Sequence, residues 1–228
     1  MLNGAAAIRL SRRIGLAVTL VFCFQAFALG QENASVTFTL DFPGSDPSHY
    51  RISVSSNGHG TYDSDGKLNP EAESDPFHID FALSEATKSR IFDLTKRANY
   101  FQGDIDSHKR NLASTGTKTL AYKDAQRSTQ ASYNYSPNQA VQELTQLLQN
   151  LSATLEFGQR LEYYHRYQKL ALDEELKRME EMSKQNGLTE VVVIAPILQK
   201  IVNDASLITP VRTRAQRLLI EAGAAPAH

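Results

Sequence analysis

Among 228 residues the sequence has one cysteine, Cys23, and no tryptophan. Cys23 lies inside an apolar N-terminal stretch expected to be removed, so the rest of the chain carries no thiol. That excludes a disulfide framework, a thiol nucleophile and a cysteine-ligated metal from it. A strong excess of charge of one sign is missing too. Without the three arginines of the N-terminal stretch, 21 Lys+Arg face 25 Asp+Glu, and a mildly acidic chain lacks the basic field that nucleic-acid binding draws on. The GxSxG, HExxH and GxxxxGK patterns are all absent, which lowers the expectation of a serine hydrolase, a zinc protease or a phosphate-loop enzyme and leaves no cofactor implied.

Residues 1–30 read as a secretory leader. Arg9, Arg12 and Arg13 precede an apolar core from Ile14 to Leu29, and Ala28-Leu29-Gly30 offers small residues where a signal peptidase cuts. Phe22 in front of Cys23 argues against lipoprotein processing. The expected location is periplasmic or extracellular. A retained anchor is the rival, because the run of about 16 approaches the shortest spanning length of about 17, and an uncleaved leader would be the chain's only membrane contact.

Further on, the hydrophobic pattern changes period several times. Val36, Phe38, Leu40 and Phe42 alternate with polar residues, as do Tyr50, Ile52 and Val54, and later Phe77, Ile79 and Phe81; alternation is the mark of a half-buried strand. Asn57-Gly58 marks a hairpin into 60–63. Ser84 is placed to cap a helix whose inner face is Ile91, Leu94 and Ala98. Segments 117–122 and 127–135 form a second hairpin. Ser136-Pro137-Asn138-Gln139 then reads as a helix start, with Ser136 as cap, and Val141, Leu144, Leu148 and Leu151 follow at helical spacing. Strands, helix, strands, helix predict an α+β domain over 31–153 with a small antiparallel sheet covered on one face. A helical C-terminal region is expected over 154–228.

That region opens on the stretch from Phe157 to Gln185, which has no proline and no glycine after Gly158 and stops at Asn186-Gly187. The spacing predicts one long helix of about 40 Å. Leu161, Tyr164, Gln168, Leu172, Leu176, Met179 and Met182 share one side, while Tyr163, Tyr167 and Leu170 lie roughly opposite. Apolar groups on two sides predict a helix clamped between two partners. Glu162–Arg166, Asp173–Lys177, Glu174–Arg178 and Glu180–Lys184 are acid-first pairs at i,i+4, worth about 0.3 kcal/mol each. Val191 to Ile194 is β-branched enough to suggest a strand, but helical spacing continues through Pro196 and favours a kinked or late-starting helix. Thr209-Pro210 opens the last helix, and the final residues from Ala224 are expected to fray.

Two resemblances accompany these patterns. Pro47, the run from Tyr50 to Val54, Gly58, Tyr62, the segment from Ala98 to Phe101, the second hairpin and the Pro137-led helix together resemble a bacterial exported domain family of unknown function over about 36–151. The family often carries a cysteine pair in the loop after its first strand, where this chain has none. The resemblance implies a fold and no activity. The C-terminal helix pair resembles a HEAT-type repeat in size and in Val211, Arg212 and Ala215; one unit is too few for a solenoid.

Several clusters could carry chemistry. Asp104, Asp106 and His108 alternate, so an extended loop would aim two carboxylates and an imidazole the same way for a divalent ion, the basis of a metal-assisted hydrolase. A solvated loop is the simpler reading of the same residues. The Asp63 to Gly66 run resembles a calcium loop whose glycine comes too early, and His78 with Asp80 shares the outer face of a strand. Arg160, Tyr163, Arg166 and Tyr167 interleave guanidinium groups with aromatic rings, a composition common at protein contacts. They make a non-enzymatic binding or scaffold module of the cell envelope, with another envelope protein as partner, the leading expectation.

Overall fold

The computed structural model describes residues 33–68, 73–109 and 111–224; the leader and nearly all of the expected frayed terminus lie outside the described residues. Six strands form one antiparallel sheet: β1 (Ser35–Asp41), β2 (His49–Ser55), β3 (His59–Ser64), β4 (Phe77–Ala82), β5 (Thr117–Lys123) and β6 (Ser128–Tyr133), in the order β4-β3-β2-β1-β5-β6. The register places Phe38 between Ile52 and Leu120, and Val36 between Val54 and Tyr122. These side chains, with Tyr62 and Tyr133, are buried on one face. Thr37 and Ser53 pair on the other, 3.0 Å apart. One side of the pleat is therefore greasy and the other polar, as alternation demands.

Helix α1 (Glu85–Arg97) starts where Ser84 accepts a hydrogen bond from the Thr87 N–H and buries Ile91 and Leu94. Helix α2 (Gln139–Tyr167) departs from the sequence reading at both ends. Its cap is Asn138, whose side chain accepts from the Ala140 N–H at 2.9 Å, whereas Ser136 Oγ accepts the Asn138 N–H, ahead of the helix. At the other end the helix that was expected over 157–185 is two pieces. Nothing between Leu151 and Phe157 breaks the backbone ladder, so the Pro137-led helix continues for 29 residues, about 43 Å, through the expected 153/154 boundary. It ends at Gln168, whose backbone is non-helical; a 3-10 turn (Lys169–Ala171) leads into α3 (Leu172–Lys184).

The Arg160 Nε to Glu175 Oε1 hydrogen bond of 2.6 Å shows how sharply the chain reverses there. Fifteen residues along an unbroken helix would separate those positions by about 22 Å. Folding back buries Leu172, Leu176 and Met179 against the remaining elements. These are a 3-10 turn at Val191–Ile194 in place of the rival strand, then α4 (Ala195–Asn203), the late-starting helix, with Pro196 in its first turn, and α5 (Thr209–Glu221).

Buried residues gather in two clusters that meet on α2. Val141, Leu144, Leu148, Leu151 and Leu155 face the sheet, and Phe157, Leu161 and Tyr164 face α3, α4 and α5. Only one of the four expected i,i+4 pairs forms, Asp173–Lys177 at 2.7 Å. Glu162 turns to Lys200, Arg178 to Glu175, and Glu180 to Arg214 and Arg217. For Glu162 and Glu180 tertiary partners outcompete the local one, because a local pair is worth only a few tenths of a kcal/mol; Arg178 takes a different local partner at i,i+3. Among the described residues no helix is long and apolar enough to cross a membrane.

Candidate functional site

The Asp104 to His108 loop is tied to itself and to the strand end beside it. Asp104 Oδ2 accepts from His108 Nε2 at 2.5 Å, its Oδ1 accepts the Asp106 N–H, and Asp106 accepts the N–H groups of His108 and Asn134. The hydrogen bond between them holds the Asp104 carboxyl below and the His108 imidazole above their ordinary ranges. Three of the four carboxylate oxygens accept a backbone N–H and the fourth meets the imidazole. Among the described residues no group of three or more His, Cys, Asp or Glu side chains is placed to share a metal. His78 sits on the open sheet face with Asp63 at 2.7 Å and Asp80 at 3.7 Å. Asp63 and Ser64 end β3, and Asp65 just beyond accepts from Ser48 and the His49 N–H, so the Asp63 to Gly66 run is a strand end leading into a loop.

The four residues on α2 separate. Arg160 points inward, its side chain 13% exposed and bonded to Glu175. Tyr163 is half-buried against the helical core; Tyr167 is 66% and Leu170 99% exposed. The second apolar flank is therefore not clamped as expected. The chain reversal at Gln168 carries α3 away from it, and nothing replaces the lost cover. The rings of Tyr163 and Tyr167 lie 5.3 Å apart, with the Arg166 guanidinium 5.8 Å from the second. Together with His165, Lys169 and Lys200 they border an open groove of about 640 Å³. Lys169 and His165 both reach Asp204, at 2.7 and 3.0 Å, and the Lys169 hydrogen bond, seconded by Ser206, holds Asp204 well below the carboxylate range. Among the described residues Arg166 makes no ion pair.

A second site was not foreseen. Glu156 is 3% exposed, near where the two cores meet. Its Oε1 accepts from Tyr62 Oη and from Ser64 Oγ, each at 2.7 Å, and the Tyr62 hydroxyl lies 2.8 Å from Ser152 Oγ. Tyr62 has one proton and gives it to the carboxylate, so Ser152 donates to Tyr62. Oε2 has no hydrogen-bond partner among the described residues; the nearest cation, Arg160 Nη1, is 3.8 Å away. Burial pushes the Glu156 carboxyl up, the Ser64 and Tyr62 hydrogen bonds and Arg160 oppose it, and Asp46 adds to the rise. The same burial raises Tyr62. Gly66 packs so closely that a Cβ there would lie 2.5 Å from Oε2.

Beyond this carboxyl, a pocket of about 370 Å³ opens between the loop after β1, α2 and α3. Asp46, Tyr50, Ser152, Glu156, Arg160 and Arg178 contribute to its wall. Glu175, 2% exposed, holds both arginines, at 2.6 and 2.9 Å. The available signal in the sequence was an acid at 156 beside a stripe of leucines, four residues before Arg160. Its hydroxyl partners on β3 lie more than 90 positions away in sequence, and no local pattern announces them. No protein-family profile and no curated protein matches the chain.

Proposed function

We propose that this chain is a non-enzymatic binding or scaffold protein of the cell envelope, exported by the leader at 1–30, which docks an acidic segment of another envelope protein at the end of α2. The observation that carries the reading is the exposure of Tyr167 and Leu170 beside the unpaired Arg166. Leucine in open water forfeits about 1.5–3 kcal/mol that burial would return, and rigid rings give contact area at little entropic cost. Glu162 also lines the groove and pairs with Lys200, and Lys169 pairs with Asp204; Arg166 is left over, and its charge favours a carboxylate over a cation in whatever lies across the rings.

Immobilised protein is expected to recover a partner from envelope extracts, with recovery falling as salt rises. The Tyr167→Ala/Leu170→Ser double variant changes only exposed side chains and should fold normally. It is expected to lose at least about tenfold in recovery, equivalent to about 1.4 kcal/mol. Equal recovery by wild type and the folded double variant would overturn the docking face.

A further inference from the structure

We infer that the pocket beside Glu156 is a binding site for a small organic cation with N–H donors, a protonated amine on a partly apolar body. The first ground is the state of Oε2, buried and without a donor among the described residues. A buried carboxylate oxygen without a donor is costly, and the side chain cannot turn to find one, because Tyr62 and Ser64 both grip Oε1. Nor does Arg160 serve. Its Nη1 is 3.8 Å away, beyond hydrogen-bond range, while Nε is committed to Glu175 at 2.6 Å. Its guanidinium also lies over the Phe157 ring, 4.9 Å from the centroid, so it supplies charge nearby but no hydrogen bond to Oε2.

Charge selects the ligand's sign. Glu175 is shared by Arg160 and Arg178, so these three leave one positive charge; Glu156 and Asp46 on the same wall outweigh it when ionised. A monocation brings the site to neutrality, whereas an anion would face both carboxylates. A bare metal ion finds too few ligands. Tyr50 and Phe157 also line the pocket and offer apolar surface to the amine's carbon body. The pocket's volume of about 370 Å³ lies within the usual range for small-molecule sites, about 300–1,000 Å³. This site is separate from the docking face and does not depend on it.

The test uses n-butylammonium as probe, with tetramethylammonium (charge without N–H) and n-butanol (a donor without charge) as the other arms, followed by the backbone amide shifts of Gly66 and Ser152 in NMR titrations of the full chain. Saturable binding of n-butylammonium in the millimolar range or below is expected, with neither comparison compound matching it. Glu156→Gln should weaken it at least tenfold. Asp46→Asn, at an exposed position and safe for folding, should weaken it roughly threefold, and Tyr167→Ala/Leu170→Ser should leave it unchanged. Absence of saturable n-butylammonium binding to the folded wild type, undiminished binding by Asp46→Asn, or equal binding of tetramethylammonium would each overturn the site.

Discussion

Glu156 concentrates the chemistry of the described chain in one side chain. The groups facing it are Tyr62 and Ser64 from β3, Asp46 from the loop after β1, and Arg160 one turn along α2; desolvation outweighs the hydrogen bonds and keeps its carboxyl above the ordinary value. In the unfolded chain the same group ionises near about 4.3. Between that pH and its raised folded value the unfolded state holds fewer protons than the native one, so this residue's contribution to stability falls as pH rises. The difference in unfolding free energy between wild type and Glu156→Gln is therefore expected to move against wild type from pH 4 upward, by about 1–3 kcal/mol, the cost of a buried polar group lacking its partner. Urea titrations at several pH values measure it, and a pH-independent difference would contradict the assignment. Asp104, held below its ordinary range by His108, has the opposite sign. Its contribution is present above the unfolded carboxylate value and is lost as pH falls through the folded one, and both variants share it.

At the scale of elements, α2 decides the architecture. Its first half lies on the sheet and its second half in the helical core, and the crossing between them requires close approach. Gly158 meets Ile194 there, and a Cβ at 158 would stand 2.6 Å from Ile194 Cγ2. Gly158→Ala would gain about 1 kcal/mol of helix propensity but overpack a rigid contact at about 1–3 kcal/mol. The expected net result is destabilisation of about 1 kcal/mol, read as a lowered thermal midpoint. In a double-mutant cycle with Ile194→Ala, the penalty for alanine at 158 should largely vanish. A stabilised Gly158→Ala single variant would show that the two elements have room between them. The break at Gln168 has no comparable local cause, for neither glycine nor proline is present from Gln159 to Lys184. It is held open by what the reversed chain gains, the burial of Leu172, Leu176 and Met179 and the Arg160–Glu175 pair.

Across the whole described body, the helical half is stitched back to the sheet half by polar links as well as by α2. Glu190 accepts from Ser84 Oγ at the start of α1, Thr189 N–H donates to Thr154 Oγ1, and Asn150 Nδ2 donates to the Asn186 carbonyl. The described residues accordingly belong to one compact unit, and its two cores are expected to open together. Leu161→Ala, in the helical core and fully buried, should cost about 2–5 kcal/mol. In amide hydrogen exchange the loss should appear at Phe38 in the sheet as fully as at Leu218 in α5. Acceleration confined to α5 would mean that the cores open separately.

Period and punctuation by themselves determined most of the elements. Alternation set the strand segments and their inward residues, Asn57-Gly58 the hairpin, Ser84 the first helix cap, Thr209-Pro210 the last helix start, and their order the α+β class. All of these are local, written within a few residues by side-chain direction and backbone sterics. Only the tertiary structure decided where α2 stops, which side of it stays wet, that Arg160 turns inward, and that Glu156 meets Tyr62 and Ser64. Those outcomes depend on competition between partners distant in sequence, where one buried leucine or one shared carboxylate outweighs several local pairs.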